Sequence, residues 1–200
     1  GAGKTTAVDL IIGLMKPTMG QVLIDGEDIS GKIDLWQRQI GYIPQEIFIS
    51  DGTVKSNIAL GIDEKKIDEQ LVWAALRLAQ LDEFVGGLPE GLNAMIGERG
   101  VRFSGGQRQR IGIARALYYD PQVVIMDEAT AALDNETEWA FMEALESFSG
   151  KKTIILIAHR LTTVKSSDQI HFLQNGHLLG SGSYQNLLKS CVEFEEMARA

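Results

Sequence analysis

Two short stretches carry residues whose types and spacing could do chemistry. The first is Gly1-Ala2-Gly3-Lys4-Thr5-Thr6, followed by Val8, Leu10, Ile11, Ile12 and Leu14 at helical spacing. A glycine-rich turn brings backbone N–H groups together, and the helix behind it adds the partial positive charge of its N-terminus, so the pair cradles phosphate oxygens. In such a loop Lys4 reaches the β- and γ-phosphates and the Thr5 hydroxyl ligates Mg²⁺. The second is Val123-Val124-Ile125-Met126, an apolar β-branched run that ends in Asp127 and Glu128. It reads as a strand buried on both faces of a parallel sheet. Its carboxyl edge is where open α/β sheets bind ligands, so the two carboxylates there are poised for a cation and a water. The leading glycine of the phosphate-loop pattern is expected upstream of Gly1, together with the strand that feeds the loop. Cut in this way, the chain is expected to fold poorly or to bind nucleotide weakly by itself.

Between these stretches lies Phe103-Ser104-Gly105-Gly106-Gln107, continued by Arg108-Gln109-Arg110. It resembles the signature motif of the ATP-binding cassette (ABC) ATPases, and the order phosphate loop, signature, Asp-Glu strand, His159 is similar to that family's order over essentially all of the chain. The resemblance implies an α/β fold: a P-loop NTPase (RecA-like) core with a mostly parallel sheet and an inserted α-helical subdomain. It implies one ABC ATPase domain over 1–200, with the core at about 1–46 and 116–200 and the helical subdomain at about 47–115.

The same resemblance distributes the roles. Gly1, Ala2, Gly3, Lys4, Thr5 and Thr6 would hold the phosphates of ATP. Mg²⁺ would sit among Thr5, Gln45 and Asp127. Glu128 would be the general base or water-orienting group, with Gln45 and His159 sensing the γ-phosphate. Ser104, Gly105, Gly106 and Gln107 would act on the nucleotide of a partner copy in a head-to-tail dimer, and Asp134, in Ala131-Ala132-Leu133-Asp134, would belong to the D-loop along that interface. Ala131 stands where many relatives have serine. Phe48 to Ile58 resembles the exporter-type segment that touches a transmembrane partner, fused upstream or separate, and Gly97-Glu98-Arg99-Gly100 a charged loop of exporters. The expected protein is thus the ATPase part of an exporter of lipid, polysaccharide or drug-like molecules at the cytoplasmic face of the cell membrane. Alternatives are a soluble ABC ATPase switching a non-membrane partner, and a nucleotide-gated interaction module without hydrolysis, which an intact Glu128 and His159 oppose.

Composition agrees. A chain of 200 residues, 44% hydrophobic and 23% charged, suits one globular domain. A net charge of -8 argues against nucleic acid as the main partner. The lone Cys191 cannot form an intrachain disulfide, and no apolar run approaches the roughly 20 residues that span a bilayer.

The elements that position these residues follow from patterning. The first helix is expected to run to about Met15, before Pro17, with Gln21–Ile24 a strand and Asp25-Gly26 its turn. Leu35–Gln39 reads as a helical turn in which Trp36 packs, and Ile40–Gln45 as a strand ended by Pro44. Asp63 to Gln80 reads as one helix capped by Asp63, then a short helix at Leu81–Val85. The signature helix has an apolar face of Ile111, Ile113, Ala114 and Leu117, with Arg108, Arg110 and Arg115 as structural salt-bridge and solubility groups. Asn135–Phe148 is an amphipathic helix with Trp139 and Met142 in the core. Thr153–Ile157 is a strand that delivers His159. Asn175-Gly176 marks a hairpin, whose His171 and His177 carry no chemistry, and helices are expected at Tyr184–Leu188 and in the tail from Glu193.

Overall fold

The structure, a computed structural model, describes residues 2–97, 103–130, 133–146, 148–158 and 161–199, with Thr162 described by its backbone alone. Gly1, the Glu98-Arg99 pair, Ala131 and His159 lie outside the described residues. The chain divides into two compact units, residues 1–37 with 156–200 and residues 38–155.

In the first unit, helix α1 (Lys4–Ile12) starts directly after Gly3, whose φ of 88° a residue with a side chain rarely adopts. It ends three residues earlier than the expected Met15, because Gly13 turns left-handed at φ 80° and caps it by donating to the Asp9 and Leu10 carbonyls. Strands β1 (Leu23–Ile24) and β2 (Glu27–Asp28) form a two-residue hairpin about Asp25 and Gly26, both at positive φ as that tight turn requires. The expected strand is thereby trimmed to its last two residues. Asp28 then caps a 3₁₀ turn, Ile29–Gly31, by accepting from the Ser30 N–H. Helix α2 (Ile33–Gln37) begins two residues sooner than expected. Its Trp36 is buried, with the indole N–H donating to the Ile11 carbonyl at 2.6 Å, and Gln37 donates to the Ile12 carbonyl at 3.1 Å. The last carbonyls of α1, which lack partners within the helix, are satisfied in this way.

The second unit is built on β3 (Ile40–Ile43), which runs parallel to the strand at Val123–Asp127. Between them, apart from one isolated bridge joining Thr53 and Met95, the described elements are helical. They are α3 (Val54–Ile58) with Thr53 as its cap, α4 (Glu69–Leu78), α5 (Asp82–Gly86) and α6 (Gly105–Leu117), with 3₁₀ turns at Glu64–Lys66 and Gly91–Asn93. The single helix expected from Asp63 is thus two elements. Asp63 caps only the short turn, Ile67 is extended at φ -68° and ψ 125°, and Asp68 starts α4 by accepting from the N–H groups of Gln70 and Leu71. Two aspartates five residues apart offer the backbone competing local bonds, which break the continuous helix.

Strand β4 (Val123–Asp127) is central, with all five residues buried. Helix α7 (Asn135–Glu146) follows, then β5 (Thr153–Ile157), giving the sheet order β3-β4-β5. On α7, Phe141 and Leu145 form the buried stripe, while Trp139 is 68% exposed. This corrects the expectation that Trp139 lies in the core. Two residues before Phe141, it projects roughly 200° around the helix from it. Met142, one residue beyond Phe141, is half-buried.

The remaining elements return to the first unit: α8 (Leu161–Val164), the antiparallel pair β6 (Ile170–Gln174) and β7 (His177–Gly182), α9 (Tyr184–Ser190) and α10 (Val192–Arg199). The expected hairpin forms, with Asn175 and Gly176 at φ 51° and 77°. Ile170, Leu187, Cys191 and Phe194 make its buried cluster, and Phe172 and Tyr184 meet Phe194 edge-on at 5.5 and 5.6 Å. Among the described residues no helix is long and apolar enough to cross a membrane.

Candidate functional site

The first unit holds the candidate phosphate loop. No side chain caps α1, and the first bond of its ladder runs from the Ala7 N–H to the Gly3 carbonyl at 3.0 Å. The backbone amides before Ala7 therefore stand at the positive end of a helix. Lys4 is half-buried, and Thr5 and Thr6 are exposed. The loop is pinned from behind by the tip of the β6–β7 hairpin. The Gly176 N–H donates to the Ala2 carbonyl at 3.1 Å, and a Cβ on Gly3 would lie 3.5 Å from the Gly176 Cα.

The second unit holds the carboxylates. Because β3 and β4 pair from Ile40 with Val123 to Ile43 with Met126, the two strands finish level. The residues that follow each are thereby neighbours at one sheet edge. Asp127, only 4% exposed, is the last residue of β4. Glu128 follows in the left-handed region at φ 50°, a conformation that costs a residue with a side chain on the order of 1–2 kcal/mol. Strain at a residue without glycine's freedom collects where geometry matters for function. The turn brings its Oε2 to 3.1 Å from Nε2 of Gln45, which donates. Gln45 and Glu128, 83 positions apart, are thus bonded, with Asp127 the residue before Glu128.

At the signature, Ser104 and Gln107 form a capping box. The Ser104 hydroxyl accepts from the Gln107 N–H at 3.2 Å, and the Gln107 side-chain oxygen accepts from the Ser104 N–H at 2.8 Å. Ser104 and Gly105 are exposed, and nothing within 4 Å would meet a Cβ on Gly105. An accepting hydroxyl keeps its own proton to donate, so the cap is compatible with an anion bound at the turn.

The arginines behind the signature bond to carbonyl oxygens, where the sequence suggested salt bridges. Arg108 donates to Phe103 at 2.8 Å, Arg110 to Gln80 at 2.7 Å, and Arg115 to Asn57 and Phe48 at 2.7 and 2.9 Å. Burial pushes Arg115 below the ordinary arginine range.

After β4, the Thr130 hydroxyl donates to Glu138 at 2.8 Å and the Leu133 N–H to the Thr130 carbonyl at 3.0 Å. Asp134 caps α7, its two carboxylate oxygens each accepting at 2.9 Å from the Thr137 N–H and hydroxyl. Those bonds, the backbone one foremost, hold Asp134 below the usual aspartate range, and the positive charge of Arg110 adds a smaller pull.

Sequence reasoning missed three positioning residues. Asn57 is fully buried, and its side chain bonds Ser50 and the Thr53 carbonyl. A polar residue beside Val54 and Ile58 on an apolar helix face was its signal. Gly41 sits so close to α6 that a Cβ would meet the Ala116 carbonyl oxygen at 2.4 Å, which an isolated glycine inside a strand can announce. Gly112 likewise leaves only 2.3 Å between such a Cβ and the Ile47 Cδ1.

A family model described as ABC transporter matches residues 1–131. The chain belongs to the ABC transporter family. Similar proteins include a multidrug resistance ABC transporter ATP-binding and permease protein of Lactococcus lactis, 41% identical over 94% of the chain and 32% of the relative. An ATP-dependent lipid A-core flippase of Cupriavidus metallidurans is 44% identical over the same two shares. The solved structure of a bacterial Atm1-family ABC exporter with ATP bound superposes with a TM-score of 0.92 at 37% identity, covering 99% of this ABC chain and 34% of the exporter's. The chain thus spans about a third of the length of these ABC relatives, and its fold is the P-loop NTPase fold.

Proposed function

We propose that the chain is the ATP-binding and ATP-hydrolysing part of an ABC membrane exporter, acting at the cytoplasmic face of the membrane with a transmembrane partner and a second ATPase domain. The observation that carries the hydrolytic reading is the contact of Gln45 with Glu128 beside the buried Asp127. The exporter reading is supported by relatives whose names join ATP binding to a permease. We read residues 1–46 and 116–200 as the nucleotide core and 47–115 as the helical lobe, supported by the helical run between β3 and α6.

Phosphoryl transfer asks a protein for positioning and charge neutralisation. Gly1, Ala2, Gly3, Lys4, Thr5 and Thr6 hold the phosphates at the start of α1. The hydroxyl of Thr5, the amide oxygen of Gln45 and the carboxylate of Asp127 are hard oxygen donors of the kind that would hold Mg²⁺. When bound, that ion neutralises charge on the transferring phosphoryl group. Glu128 takes the proton of the attacking water or orients it, and Gln45 holds the Glu128 carboxylate in place. His159 attends the γ-phosphate. Ser104 to Gln107 serve the nucleotide of the opposing copy, and Asp134 lines the junction of the two. ATP closes the dimer and its hydrolysis opens it.

The test is ATP hydrolysis by the full-length protein that carries this chain, against its Glu128→Gln variant, with the mass of the ATPase assembly followed in solution. Loss of turnover by about 10²- to 10⁴-fold, the range for a general base, with an ATP-bound closed dimer accumulating, is the expected result. Equal ATP binding by parent and variant with no turnover in either overturns the enzyme and leaves a nucleotide-gated module.

A further inference from the structure

The signature helix is fastened to the segment after Gln45 at two independent places. Gly112 of α6 lies against Ile47 with no room for a methyl group between them. One helical turn further on, Arg115 spreads its guanidinium over that segment. Its Nη1 donates to the Phe48 carbonyl at 2.9 Å, its Nε to the Asn57 carbonyl at 2.7 Å, and its Nη2 to the Asn57 side-chain oxygen at 3.4 Å.

Asn57 itself closes the loop it sits beside. Its side-chain oxygen accepts from the Ser50 N–H and hydroxyl at 2.9 and 3.1 Å, and its amide donates to the Ser50 and Thr53 carbonyls at 3.0 and 3.1 Å. Residues 48–57 are therefore stapled internally by one buried amide and externally by one guanidinium. The segment also presents Phe48, 70% exposed.

A planar guanidinium reaching two carbonyls on either side of a loop fixes orientation as well as distance, which an ammonium cannot do. A contiguous bonded path through a rigid element can carry coupling between distant places. Here α6 is that element, with Ser104 at its start and Arg115 near its end.

We propose that Arg115 is a positioning residue that makes residues 48–57 and the signature helix move as one body, so that a nucleotide held at the signature turn displaces the exposed segment around Phe48. This rests on the nucleotide reading above. The full-length protein is followed by hydrogen–deuterium exchange, with and without Mg²⁺ and a non-hydrolysable ATP analogue, in the parent and in Arg115→Ala and Arg115→Lys. In the parent, both 104–107 and 48–58 are expected to change protection on adding the analogue. Arg115→Ala is expected to keep the response at 104–107 and lose it at 48–58, and Arg115→Lys, whose ammonium cannot hold both carbonyls, to lose most of it as well. The lysine variant gives the same reading if the alanine variant does not fold. A residue that served stability alone would raise exchange in both segments with and without nucleotide and leave the response intact. That result, or a parent in which 104–107 responds and 48–58 does not, overturns the coupling. A parent in which 104–107 does not respond overturns the nucleotide reading and the coupling with it.

Discussion

Single residues here carry two duties at once. Asp134 was singled out in sequence for the place it holds after the carboxylate strand, yet its described bonds make it the cap of α7. Its folded-state pKa is lowered. The stabilisation is therefore fully present above the ordinary aspartate value of about 3.9, and it is lost as the pH falls through the depressed folded value. Asn caps as well as Asp but does not titrate. Unfolding midpoints of parent and Asp134→Asn, followed from pH 7 downward, should run together and then separate in the acid limb, the parent falling more steeply. Parallel curves throughout would remove Asp134 from the acid response. Glu128 shows the limit of reading at this scale. Its type and neighbours announced a carboxylate at a sheet edge, but nothing in the sequence foretold a left-handed backbone at that position.

Elements were readable where a local rule decides them. The Asn-Gly tip between β6 and β7 is a few residues whose own bonds suffice, and it forms as expected; the Ser-x-x-Gln start of α6 is equally local, a capping box that sequence reasoning passed over. Buried β4 was equally plain, because five consecutive apolar or strand-ending positions leave no helical stripe. Reading failed where the deciding contact is remote or the face ambiguous. Trp139 looked like core by size alone, while the i, i+4 pair Phe141 and Leu145 sets the buried face of α7. Arg110 and Arg115 of α6 could not be paired from sequence with carbonyls 30 to 67 positions away. The packing of α6 on β3 gives a test at this scale. Gly41→Ala sets a methyl group against the backbone carbonyl of Ala116, which cannot rotate aside, whereas at Gly112 the obstacle is the side chain of Ile47, its Cδ1, Cγ1 and Cγ2 at 2.3, 2.7 and 2.9 Å, and the methyl also favours the helix. Denaturant unfolding should show Gly41→Ala losing about 1–3 kcal/mol, in the range for overpacking, and Gly112→Ala losing less. The reverse order would mean that β3 can retreat from the helix.

At the scale of the whole chain, the first unit is made of its two ends, residues 1–37 and 156–200. The candidate phosphate loop rests on the hairpin tip through the Gly176 N–H and the Ala2 carbonyl. Gly176→Val, at a backbone angle of 77° that a branched residue resists, is expected to weaken ATP binding by the full-length protein several-fold, measured by titration calorimetry. Unchanged affinity would show that the loop keeps its shape without the hairpin. The same contact also orders events during synthesis. A ribosome makes residue 2 long before residue 176, and domains close only as their distant partners emerge. The loop's backbone partner does not exist until residue 176 has been translated, so this hydrogen bond closes only after the helical elements and the carboxylate strand have been synthesised.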